Sequence, residues 1–203
     1  MTSHESGSPL AAAHSAHPAD AAAERTTLLL GVRLFILSEV MLFGAFFAAY
    51  FVLRFQAPRW PPQGDIERPE LLLVGFNTLI LLTSSVTMQW ATSRIARGDT
   101  RGLRRGLAAT LVLGVVFLAV QGYEFATNGF GFADGIFGST FYTLTGFHGA
   151  HVLAGILIIG AVANRARLGL VDQSHHTALE AAGLYWHFVD VVWVFLFVTV
   201  YVL

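Results

Sequence analysis

Five long apolar runs divide the chain, and polar residues and helix breakers gather between them. The runs cover residues 27–55, 70–95, 103–127, 138–163 and 177–203. A run of about 20 or more apolar residues matches the ~30 Å hydrocarbon core of a bilayer when coiled as a helix. Backbone groups in lipid must satisfy one another within the segment, so each run predicts a transmembrane helix rather than a strand. The expected fold is all-α: a polytopic bundle of five transmembrane helices. Pro58, Pro61, Pro62, Gly64 and Pro69 fill the first connection, and Gly129, Gly131 and Gly135 the third. The connections are too short to hold a soluble domain and no internal repeat is evident, so residues 27–203 read as one membrane domain. Residues 1–26 are polar and Ala-rich, with His4, His14, His17 and Pro18, and no basic segment precedes an apolar one. They read as a disordered tail rather than a signal peptide.

Composition changes this picture little but narrows the chemistry. Hydrophobic residues make up 55% and charged residues 12% of the chain, against about 45–50% and about 25% in a soluble domain. A net charge of −1 leaves no basic footprint for nucleic acid. With no cysteine there are no disulfides, thiolate zinc sites or iron–sulfur ligands. All 12 basic residues are arginine, and their placement bears on orientation. Eight (Arg25, Arg94, Arg97, Arg101, Arg104, Arg105, Arg165 and Arg167) fall on one side, and three (Arg54, Arg59 and Arg68) on the other. The positive-inside rule then predicts the N-terminus inside and the C-terminus outside. Arg33 stands within the first span, near the tail side.

The remaining ionisable residues are the candidates for chemistry, because a charge at mid-membrane costs about 2.5–3.5 kcal/mol on insertion scales. Glu39, His148, His151, His187 and Asp190 fall near the midpoints of their spans, in one layer; Glu124 lies near the outer end of the third and Glu180 nearer the inner surface of the fifth. His148 and His151 share a helix face, as do His187 and Asp190. The structural reading is a set of His–Asp hydrogen bonds tying helices 4 and 5 together. Glu39 reads as a lone carboxylate amid Phe35, Phe43, Phe46 and Phe47, a setting that suits attack by hydrophobic carboxyl reagents. Asn77 aligns with Ser84, and Thr78 with Ser85, in a polar seam of the kind that lets helices approach and hydrogen-bond. Trp186 and Trp193, seven apart, mark a packed face or a subunit interface. Haem ligation by the histidines and a proton-coupled transporter are the rival readings, with a di-iron carboxylate site further behind.

Several of these stretches resemble subunit III of haem–copper oxidases, in its five-helix form. Residues 138–155 (GSTFYTLTGFHGAHVLAG) and 180–193 (EAAGLYWHFVDVVW) are similar to its two long motifs. Asn77-Thr78 with Ser84-Ser85, Gln121-Gly-Tyr-Glu124-Phe and Ser38-Glu39-Val40 follow its other helices in chain order. The resemblance implies a non-catalytic subunit of a proton-pumping cytochrome c oxidase in a bacterial plasma membrane, with no active site of its own. It implies no cofactor in this chain, haem and copper being held by partner subunits. It further implies direct packing on subunit I, with subunit II in the same complex, and bound phospholipid. Glu39 takes the position of the family's reactive glutamate, and a role in proton or oxygen access to subunit I goes with it. His148, His151, Glu180, His187 and Asp190 become motif residues of a packing core. The longer family form has seven helices, of which this chain matches the last five, and the five-helix form also occurs in bo-type ubiquinol oxidases.

Overall fold

The structure, a computed structural model, describes residues 18–62, 70–172 and 176–203. Its elements are α1 (Pro18–Gln56), α2 (Leu71–Ile95), α3 (Thr100–Thr127), α4 (Gly135–Arg167) and α5 (Thr177–Leu196), the last continued by a π-helical turn (Phe197–Val202). No strand occurs among the described residues, and all five helices are long and apolar enough to cross a membrane. The expected helical bundle is therefore present. One boundary differs. α1 begins at Pro18, so residues 18–26, assigned above to the tail, are helical. Proline suits a first helical turn because its missing N–H has no partner there, and the alanines that follow are strong helix formers. The rest of the tail, with His4, His14 and His17, lies outside the described residues.

Four helices close a ring, α2 on α3, α3 on α4, α4 on α5 and α5 back on α2; α1 lies outside it against α4 and α5. Without a hydrophobic drive between helices in lipid, close packing and interhelical hydrogen bonds must hold such a ring. Small residues supply the closeness. A Cβ built on Gly106 of α3 would sit 2.7 Å from the Ala91 Cβ of α2. The tight α2–α3 turn depends on Gly98, whose φ of 74° is open to glycine at little cost. There the amides of Gly98 and Asp99 bond back to the carbonyls of Ile95 and Arg94 in a Schellman motif, and Asp99 caps α3 by accepting from the Gly102 amide at 2.8 Å.

Two arginines fasten helix ends. Arg104 Nε donates to the carbonyl of Ala166 at 3.0 Å and Nη2 to that of Arg167 at 3.3 Å, placing a positive charge on the last carbonyls of α4. At the other side of the bundle, the π-helical turn shifts the Leu203 amide onto the Val198 carbonyl. This leaves the Thr199 carbonyl to accept the Tyr50 hydroxyl of α1 at 2.9 Å. Arg54 then donates to the Tyr50 oxygen at 3.1 Å and to the Leu203 carbonyl.

Candidate functional site

The polar residues named above do not converge on a single cavity. They are distributed over the helix contacts, and each contact has its own geometry.

Glu39 is not a lone carboxylate. Its Oε2 lies 3.0 Å from His151 Nε2, which joins α1 to α4. The other imidazole nitrogen, Nδ1, is 2.7 Å from the Phe147 carbonyl one turn earlier. A carbonyl only accepts, so Nδ1 carries a proton. The Nε2–Oε2 contact then needs a further proton, and the pair is either imidazolium with carboxylate or imidazole with carboxylic acid. Both forms are neutral overall, which suits a site within the bilayer. Phe43 packs on the imidazole with ring centroids 5.0 Å apart, and Tyr185 donates its hydroxyl to the His151 carbonyl at 3.1 Å. Glu39→Gln keeps a donor for Nε2 and is expected to change stability by less than about 1 kcal/mol, whereas Glu39→Ala leaves Nε2 unpaired and costs about 1–3 kcal/mol. Thermal unfolding of the two variants in the same detergent measures the difference. Equal losses in both would show that the carboxylate itself is required.

The His–Asp hydrogen bonds expected between helices 4 and 5 are absent. Among the described residues neither ring nitrogen of His148 and neither carboxylate oxygen of Asp190 has a hydrogen-bond partner within 3.5 Å, although both residues are buried. His148 is instead packed by rings, Trp193 at 4.8 Å and Phe117 at 6.0 Å between centroids. His187 turns to α2, where its Nδ1 meets Ser85 Oγ at 2.6 Å. Sharing a helix face brought His187 and Asp190 to one side of α5 without bonding them. Ser85, His187 and Asp190 do not make a nucleophilic triad, since the carboxylate does not hold the imidazole.

The seam on α2 hydrogen-bonds to neighbouring helices through partners that the spacing did not name. Ser84 Oγ accepts the Trp186 indole N–H at 2.9 Å and Thr78 Oγ1 accepts that of Trp193 at 2.9 Å. The two tryptophans therefore form two rungs between α5 and α2. Asn77 extends the contact to α3, donating to the Phe117 carbonyl at 3.1 Å. Gln121 of α3 donates to the Thr145 carbonyl of α4 at 3.1 Å. Glu124 is buried near the end of α3 with its Oε1 unbonded. Glu180 lies at the opposite end of the bundle, held by Arg25 Nη2 at 2.8 Å to both carboxylate oxygens and by His176 Nε2 at 2.9 Å. Arg25 as the partner of Glu180 has no signal in the sequence pattern, and for the Ser84 and Thr78 bonds to the tryptophans the signals are the α2 seam and the seven-residue spacing of Trp186 and Trp193.

Haem ligation finds no support in these positions. His148 is completely enclosed, and both nitrogens of His151 are engaged. Among the described residues no group of three or more His, Cys, Asp or Glu side chains is placed to hold a metal ion.

The family model described as cytochrome c oxidase subunit III matches residues 10–203. Proteins named cytochrome c oxidase subunit 3 are similar over most of the chain. That of Thermostichus vulcanus is 42% identical over 176 residues, covering 86% of this chain and 87% of that protein. The Synechocystis protein is 44% identical over 176 residues (86% and 75%), and the Arabidopsis thaliana protein 45% identical over 180 residues (86% and 68%).

Proposed function

The chain belongs to the cytochrome c oxidase subunit III family, and from that premise we propose that it is a non-catalytic, multi-pass subunit of a proton-pumping cytochrome c oxidase in a bacterial plasma membrane. In this reading it packs against the catalytic subunit I, with subunit II in the same complex, and stabilises it. Haem and copper belong to those partners. The observation that carries the reading is the family match, which is continuous through all five helices. The geometry supports it: Glu39, His151, His187 and Glu180 are committed to ties between helices rather than gathered about a reaction centre. That these relatives are cytochrome c oxidase subunits favours cytochrome c over quinol as the donor to the complex. Glu39, partly exposed beside its histidine partner, is the residue assigned to proton or oxygen access toward subunit I. The N-terminus lies inside and the C-terminus outside.

A tagged copy expressed in a host that holds the rest of the oxidase is expected to co-purify with haem-bearing subunits, and the chain alone to show no Soret band. A Soret band from the chain alone, or no haem protein bound to it, would overturn the reading. Because the chain has no cysteine, single cysteines test the orientation in the same cells. Arg97→Cys should be labelled only from inside, and Gly129→Cys, where a Cβ meets nothing within 4 Å, from outside.

A further inference from the structure

A groove of about 480 Å³ runs between α2 and α5 on the outer face of the ring. Leu82, Val191, Val194 and Val198 form exposed apolar walls, and Asp190 lines it from beneath. We propose that this groove seats a transmembrane helix of another subunit of the oxidase, and that a basic side chain on that helix reaches Asp190; the inference rests on the subunit reading above.

Asp190 is 4% exposed, and among the described residues neither oxygen has a hydrogen-bond partner within 3.5 Å. The neighbouring Ser85 hydroxyl is shared between Asp190 and His187 and carries no charge, and no arginine lines the groove. A buried carboxylate in apolar surroundings is costly unless a donor or a positive charge meets it. Depth identifies the source of that donor. Asp190 is thirteen residues from Thr177 along a span of Thr177–Val202, so at about 1.5 Å per residue it lies about 20 Å from that end. A phospholipid amine sits outside a core whose half-thickness is about 15 Å, and an acyl chain has nothing to donate. A side chain on a transmembrane helix reaches this depth, and the apolar walls offer that helix a surface to pack against. An opposite charge at mid-membrane is also the usual partner for an intramembrane carboxylate.

The test uses the assembled complex. Val191 and Val194 are each replaced by the photo-cross-linking residue p-benzoylphenylalanine, and the adducts are sequenced. The expected result is a cross-link to another subunit, with an Arg, Lys or His within one helical turn of the site. Asp190→Asn, which preserves shape, should weaken retention of the chain by about 30-fold or more, because it leaves the partner's charge unpaired. Neutralising that basic residue should weaken retention as much, and the double variant should be no worse than either single one. Cross-links to phospholipid alone, a cross-linked helix without a basic residue there, or full retention of Asp190→Asn would overturn the inference. In each of these cases a chain that still co-purifies with haem-bearing subunits leaves the subunit reading standing. Failure of the unmodified chain to co-purify overturns both.

Discussion

Trp186→Ala is expected to destabilise the bundle by about 3 kcal/mol, the lower end of the range for emptying a large aromatic site. The lower end applies because unfolded helices remain in lipid, so the loss is mainly of packing and not of transfer from water. Trp186 is fully buried and meets every other helix of the ring. Its indole N–H goes to Ser84 on α2, and its ring is pressed between glycines of α3 and α4. A Cβ built on Gly114 would stand 2.8 Å from the ring, and one on Gly155 2.7 Å from it. No real side chain is tolerated at such distances without movement. Gly155→Ala should therefore cost about 1–3 kcal/mol by overpacking in the native background. It should cost almost nothing more in Trp186→Ala, where the space for the new methyl group has been vacated. Unfolding of the two single variants and the double variant gives the coupling directly. Additive losses would show that the indole is not lodged between the two glycines.

This socket also shows where sequence reasoning stops. The five spans were legible because a helix in lipid must be long and apolar, and because Pro and Gly stand at the connections. The Schellman turn at Gly98 falls where Gly follows an arginine-rich helix end. The start of α1 was not legible in the same way, since an Ala-rich polar stretch satisfies both a tail and a helix. Within the bundle, spacing along one helix identifies a face but not what lies against it. Seven residues separate Trp186 from Trp193, and this correctly marks one packed face of α5. Nothing in that spacing says that Ser84 and Thr78 are the acceptors, or that Gly114 and Gly155 supply the room. His187 and Asp190 share a face in the same sense, yet the imidazole turns to Ser85 and the carboxylate to an open groove. Glu39 and His151 were placed in one layer by depth alone. Their pairing across 112 residues depends on α1 lying against α4, a tertiary fact. Of the candidate site, then, residue type and helix face were readable, and the partners were not.

Trp193→Ala should also cost about 3 kcal/mol by cavity formation, but with a different signature from Trp186→Ala. Trp193 is fully buried, donates to Thr78, and lies against Phe117 at 4.9 Å and His148 at 4.8 Å between centroids. The space it leaves is therefore bordered by an imidazole with two unbonded nitrogens. A cavity with polar groups on its wall takes up water, where a purely apolar one stays dry. Among the described residues His148 has no hydrogen bond to lose, so His148→Leu in the native background should be near neutral or stabilising. In the Trp193→Ala background the imidazole gains water as a partner, and the same His148→Leu change should become unfavourable by about 1 kcal/mol. The sign change between the two backgrounds, read from thermal unfolding of the single and double variants, is the test. A loss of about 2 kcal/mol or more for His148→Leu in the native background would mean that the imidazole is already hydrogen-bonded there. The Trp193 indole would then cover a polar site, where these distances place a cluster of tilted and edge-on rings.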